Sequence, residues 1–383
     1  MHRLAKWLWM VCIAMLLTGC WDRVESEERG FVVGAAIDTA VEKKLKLTFQ
    51  FVVTSAFQGK GEGGKQGGDA FLNVSMEGHT LFKALRDMST QTSRSPYLQH
   101  NRIILVSEEM ARKGDLGKAL DLFIRDHEMR RITKVMIAEG EASPILGIKP
   151  SYEKLPVLYI DSIAENPYKS SKILSPTIIG KVYGFLLGKA SFAIPRIAKM
   201  KDKVEVAGAA IFKGSNKRMV GFLNENETMG LNFFTGKIKG GGLELKLNNQ
   251  YVVFEIKGSK RTLDADVSDP EHPVFNINIF TEGNVAESST SLDFLDPKVI
   301  AEVQAKTVEK IKSLTEDTVE KLQKDYKTDA LGLGTFLKQE HYRAWQKIEK
   351  DWDQGNNLFS KCVIRVHVKV KMRIIGAIIE TEK

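Results

Sequence analysis

Residues 361–375 read KCVIRVHVKVKMRII. Cys362, Ile364, Val366, Val368, Val370, Met372 and Ile374 fall on one side of this alternation. Lys361, Arg365, His367, Lys369, Lys371 and Arg373 fall on the other. A period of two is the side-chain repeat of a β-strand, so the stretch predicts a strand with one apolar and one basic face. The basic face reads either as solvated protection of a sheet or, more sharply, as a surface for anionic lipid heads. Upstream, Thr335–Lys350 predicts a helix carrying Phe336, Tyr342 and Trp345, with Trp352 just past it. Asp329-Ala330-Leu331-Gly332-Leu333-Gly334 breaks the chain before that helix. Asp296-Pro297 is a helix start, an N-cap residue followed by proline at the first helical position. Ile300, Val303, Ile311, Leu314, Leu322 and Tyr326 keep helical spacing to about Asp325. Roughly thirty residues of helix would reach about 45 Å.

Working back from this helix, strands are predicted at Val274–Phe280, Tyr251–Ile256 and Leu243–Leu247, with a short helix after Leu223. Val204–Phe212 and Met219–Leu223 predict a hairpin turning at Gly214-Ser215-Asn216. Lys199–Lys203 (KMKDK) reads as a charged linker. Residues 143–200 carry Pro144, Pro150, Pro156, Pro167, Pro176 and Pro195, with short helices at Tyr152–Ala164 and Thr177–Leu187. Nearer the N-terminus, strands at Phe31–Ile37, Lys44–Val53, Asn101–Val106 and Ile132–Ala138 interleave with helices at Thr80–Met88 and Leu116–Arg125. The expectation is an α+β fold of three mixed domains, each a β-sheet flanked by helices. They span residues 20–142, 143–200 and 203–383.

The chain opens with MHRLAKWLWMVCIAMLLTGC at residues 1–20. Arg3 and Lys6 precede an apolar run from Trp7 to Thr18, the length of a signal-peptide core and too short to span a bilayer. Leu17-Thr18-Gly19-Cys20 then matches the bacterial lipoprotein pattern. Residues 1–19 are expected to be cleaved, and the Cys20 thiol to carry a diacylglyceryl group. Each buried methylene contributes about 0.8 kcal/mol, so two acyl chains anchor far better than one. The rest of the chain would be a water-soluble body on the outer face of a membrane. Thr177–Ile194, the most apolar later stretch, is interrupted by Lys181 and Lys189. The formal charge of +8 falls to +6 without Arg3 and Lys6, which suits a neighbour of anionic lipid heads better than a nucleic-acid binder in this compartment. Of three cysteines, Cys12 leaves with the signal and Cys20 carries lipid. Cys362 is left alone, so no intramolecular disulfide is expected.

Chemistry-bearing patterns are sparse. Gly59, Gly64 and Lys65 match GxxxxGK within the glycine-rich loop Gly59–Gly68, but Gln66 stands where a phosphate loop needs Ser or Thr, and a strand follows. His127-Glu128 lacks the second His of HExxH, and no GxSxG occurs. Cys362 sits on an inward strand face, where cysteine behaves as a small hydrophobe. No catalytic residue, metal ligand or cofactor is assigned, which favours a binding or assembly protein over an enzyme. Two alternatives stay open: a solute-binding lipoprotein with a polar-lined cleft, and an exported cell-wall hydrolase.

Three features together resemble one family. Gly19-Cys20-Trp21-Asp22-Arg23, followed by a VVGAAID strand, is similar to the opening of the Ger(x)C lipoproteins, the C subunits of spore germinant receptors in endospore-forming Firmicutes. Asp329–Gly334 resembles that family's D-x-x-G-x-G turn. Trp345–Trp352 (WQKIEKDW), leading into the Val/Lys strand and Gly376, is the third. The resemblance implies three α/β-type domains and a diacylglycerol anchor at Cys20 on the outer face of the spore inner membrane. It also implies two integral membrane partners, subunits A and B, in a nutrient receptor that starts germination. The family has no assigned enzymatic activity and no cofactor.

Overall fold

A computed structural model describes residues 28–57, 69–247, 249–289 and 292–373, with positions 7, 9 and 25. β1 (Arg29–Thr39) is buried along nearly its whole length. It has neighbours on both sides, β2 (Leu45–Val52) antiparallel and β5 (Ile103–Ser107) parallel. Burial of both faces is why its sequence is a continuous apolar run rather than an alternation. β3 (Phe71–Gly78) pairs with β2 and forms one edge. α1 (Leu81–Met88) follows, capped by the Thr80 hydroxyl accepting from Lys83 N–H. β4 (Ser95–Tyr97) lies beside the start of β1. After β5 come α2 (Glu108–Lys113) and α3 (Leu116–Arg125), the latter capped by Asp115. β6 (Lys134–Ala138), α4 (Pro156–Ala164), β7 (Thr177–Ile178), α5 (Ile179–Gly188) and β8 (Phe192–Met200) complete the middle of the sheet.

The sheet does not stop at residue 200. β9 (Lys203–Glu205) turns back on β8, and β10 (Ala209–Lys213) and β11 (Arg218–Leu223) extend the order to β11-β10-β8-β6-β5-β1-β2-β3. Residues 143–200, expected as a separate small domain, therefore supply helices and a central strand to the first sheet. The strands expected to open a third domain at residue 203 lie in that sheet too. The physical reason is pairing: Lys199–Lys203 is a tight β8–β9 turn rather than a linker, and β10 binds along β8 from Phe212↔Phe192 to Ala209↔Pro195. One sheet face packs against α1, α2, α3 and α5 through residues such as Ile37, Phe49, Val106, Phe123 and Val182. The other packs Val33, Ala36, Leu105 and Met136 against α4 and the turn at Ile145-Leu146.

α6 (Glu225–Thr235) begins at a capping box, Asn224 and Glu227 bonding reciprocally to each other's N–H. β12 (Gly241–Leu247), β13 (Gln250–Asp266) and β14 (Val274–Ser288) form an antiparallel meander. α7 (Pro297–Glu320), capped by Asp296, closes in a π-helical turn at Lys321–Asp325. The single helix expected over 335–350 is two, α8 (Leu333–Glu340) and α9 (Tyr342–Ile348), broken at His341. β15 (Val363–Met372) then adds parallel to β14, completing the order β12-β13-β14-β15. A parallel neighbour needs a crossover connection, and α7–α9 provide it. The described residues thus form two sheets in an α+β arrangement.

β10 belongs to both bodies. Ala210 and Phe212 face the core under the first sheet, while Ala209 and Ile211 face the core that holds α6, α7 and the second sheet. Elsewhere, buried polar side chains pin the layers. Gln50 is fully buried; its amide donates to Leu146 O (2.6 Å) and Asn73 Oδ1 (3.1 Å), and its carbonyl accepts from Val157 N–H (3.2 Å). Gln50→Leu keeps the volume and leaves the Val157 N–H without its acceptor, while Asn73 still donates to Leu146 O at 2.8 Å. The expected loss is about 1–3 kcal/mol in urea unfolding; an unchanged midpoint would contradict this role.

Candidate functional site

Cys20 and the glycine-rich loop Gly59–Gly68 lie outside the described residues. Among the described residues, no group of three or more His, Cys, Asp or Glu side chains could hold a metal ion. An open groove between β12 and α7 is lined by Glu244, Lys246, Tyr251, Lys306, Glu309 and Lys310. Lys306 and Glu309 already pair across 2.9 Å there. Cys362 is buried, but it lies in the bend just before β15 rather than on the strand face expected for it. Burial, reinforced by the nearby Asp329 charge, pushes its thiol up to about 12. Its Sγ donates to Phe359 O at 3.2 Å, so it is neither a thiolate nor a nucleophile.

The densest polar constellation is built on Asp329, in the turn between the end of α7 and α8. Its Oδ1 accepts from the N–H groups of Gly332 (2.9 Å) and Leu333 (3.1 Å). Its Oδ2 accepts from Gly334 N–H (2.6 Å) and the Trp352 indole N–H (2.7 Å). The carboxylate thus caps the first turn of α8, where the helix dipole also favours negative charge. Gly332 sits at φ +82°, a left-handed conformation that suits glycine. At Gly334 the reason is space: an added Cβ would lie 2.7 Å from Trp352 Cδ1 and Nε1. Trp352 stacks edge-on against Trp345, Phe275 and Phe359. The D-x-x-G-x-G turn and the WQKIEKDW segment, read separately from the sequence, are two halves of one contact.

Sequence reasoning missed what surrounds this turn. Gln323 in the π-helical turn donates to Phe359 O (2.8 Å) and Cys362 O (3.0 Å), setting the entry into β15. Asp353 is buried and accepts from the Ser191 hydroxyl, which itself accepts from Gly214 N–H at 3.0 Å. Tyr326 Oη donates to Phe222 O at 2.7 Å. These bonds join the turn to β8, β10 and β11 of the first sheet, over sequence separations that no local pattern reveals. The arrangement is a structural joint, and no nucleophile or acid–base pair is assembled in it.

Burial pushes the Asp329 carboxyl up from its usual 3.8 to about 6, against the opposing pull of the Gly334, Trp352 and Leu333 N–H groups. The fold therefore favours the protonated form. This group's contribution to stability is full below about pH 4 and is lost as the pH rises through about 6. Asp329→Asn does not titrate. The stability of wild type relative to that variant should fall by on the order of 3 kcal/mol between about pH 4 and pH 7, read by urea unfolding. A flat difference across the window would refute it. Gly334→Ala should destabilise by about 1–3 kcal/mol through overpacking against Trp352, measurable in the same assay.

Comparison with known proteins matches both halves of the chain. A family model described as "Spore germination protein N-terminal domain" covers residues 22–199, and one described as "Spore germination B3/ GerAC like, C-terminal" covers residues 207–376. Spore germination protein YndF of Bacillus subtilis is 29% identical, over 96% of this chain and 96% of its own. Spore germination protein B3 of the same organism is 27% identical, over 99% of this chain and 100% of its own. The crystal structure of the GerBC protein superposes with a TM-score of 0.61 at 24% identity, covering 88% of this chain and 96% of that one, and shares the fold. The chain belongs to the GerAC family of spore germination proteins, the C-subunit family of germinant receptors.

Proposed function

We propose that this chain is the lipid-anchored, extracytoplasmic C subunit of a nutrient germinant receptor. Residues 1–19 are its signal peptide, and Cys20 carries the diacylglyceryl group that holds it on the outer face of the spore inner membrane. Its partners are the integral membrane subunits A and B. The observation that carries the reading is family membership across both halves of the chain. The Leu17-Thr18-Gly19-Cys20 pattern after a short apolar core supports the anchor. Among the described residues no helix is long and apolar enough to cross a membrane. A lipid on Cys20 would supply the attachment. The mechanism is docking without catalysis: tethering confines the body to the membrane plane and raises its effective concentration near A and B.

Metabolic labelling with palmitate tests the anchor. The wild-type chain should take up label and sediment with membranes. Cys20→Ala should take up none, appear in the soluble fraction, and slow nutrient-triggered germination. A variant that stays on the membrane and supports full germination would refute the assignment. Co-purification with tagged A and B subunits tests the partnership, and should be lost with the anchor.

A further inference from the structure

Among the described residues, no helix covers the outer face of the second sheet. α6 and α7 pack on its inner face, against Phe254, Phe275, Ile277 and Ile279. On the outer face, Arg365, His367, Lys369 and Lys371 all point outward and exposed from β15, the alternation expected from its sequence. The registers of the three strands place Lys260, Phe280 and Lys369 directly abreast, on β13, β14 and β15. Phe280 is 43% exposed between the two lysines. Neighbouring strands are about 4.8 Å apart and alternate residues about 7 Å apart along a strand. The result is an exposed cluster of cations around an aromatic ring. Among the described residues, no acid lies within ion-pair distance of Lys260, Arg365, Lys369 or Lys371, whereas Arg373 at the end of the row is held by Glu282. Three acids share the face: Asp264 and Asp266 lie abreast of Asn276 and Val274, toward the other end from Lys371, and Glu282 lies abreast of Lys371 and is engaged by Arg373.

We propose that this face docks on the anionic headgroups of a phospholipid bilayer, with lysines on phosphates and Phe280 at headgroup level. The inference takes its setting from the membrane-tethered reading above. Charge complementarity selects the occupant: exposed cations with no carboxylate partner on one face of a membrane-tethered body match the anionic phosphates of a bilayer surface. An exposed apolar ring among cations supplies both contributions that hold a surface at an interface, apolar burial and attraction to anionic lipid.

The test uses the chain from Trp21 onward, without the anchor; every residue of the three apolar cores lies at or beyond Val32, so all core contacts are kept. Flotation is compared between vesicles of phosphatidylglycerol mixed with phosphatidylcholine and vesicles of phosphatidylcholine alone. Wild type should prefer the anionic vesicles and release with added salt. The pair Lys369→Gln and Lys371→Gln should bind about 30-fold more weakly, at about 1 kcal/mol per lysine. The pair Lys118→Gln and Lys310→Gln, exposed cations on α3 and α7, should bind as wild type. Equal binding to both vesicle types, or equal loss in both variant pairs, would overturn the proposal. So would tighter capture by soluble polyglutamate, which would mark an acidic polypeptide as the partner. Because this chain lacks Cys20, the outcome is independent of palmitate labelling. Failure of the surface leaves the anchor standing, and failure of the anchor leaves the surface.

Discussion

A single buried carboxylate sets the geometry of the C-terminal half. Removing a charge from water is costly unless hydrogen bonds replace the lost hydration, and Asp329 recovers four N–H donors, three from consecutive residues of one turn and one from Trp352. Those donors can converge only if α8 starts immediately after the turn and Trp352 returns across it. The return of Trp352 in turn delivers Phe359 and Cys362 to the point where Gln323 fixes the start of β15. The long parallel pairing of β15 with β14 therefore depends on an interaction some thirty residues upstream of it.

The same joint reaches the first sheet. Asp353 lies next to Trp352 and bonds Ser191, at the start of β8, while Tyr326 bonds the backbone of β11. Between these two points runs β10, whose alternate side chains enter different cores. A strand with both faces buried in separate bodies leaves little freedom between them, since sliding one body would expose apolar side chains of the other. The boundary between the two matched family domains, after residue 199 and before residue 207, thus falls within a continuous sheet.

What the sequence revealed follows the physics of exposure. β15 was legible because it is an edge strand with one face in water, so its alternation is complete. β1 was legible by its apolar run. β13 was legible only to Ile256: a register shift between Ile256 and Gly258 resets the alternation, and the polar stretch GSKRTLDAD continues as strand. β8 was hidden by Pro195, which reads as a strand breaker. α2 is too short, at six residues, to show a helical period. The break at His341 leaves Phe336, Tyr342 and Trp345 at spacings that one helix would also give. In the joint, the D-x-x-G-x-G turn and the tryptophan segment were each visible as patterns, but their contact was not, because long-range bonds leave no local signature. The expectation at Cys20 rests on a short contiguous motif alone.

On the proposed reading, the lipid and the basic sheet face contribute different things. Two acyl chains, at about 0.8 kcal/mol per methylene, dominate affinity for the bilayer, so a few lysines add little to attachment. Orientation is another matter. A body tethered only at Cys20 could present any face to the membrane and hence any face to membrane partners. Four cations on one sheet face, at about 1 kcal/mol each, would favour one orientation by several kcal/mol, enough to hold nearly all copies the same way up. That face is rigid because β15 is fixed at its start by Gln323 and along its length by β14. The Asp329 joint would then act on function at a distance, by keeping the sheet that meets the lipid in register with the rest of the body.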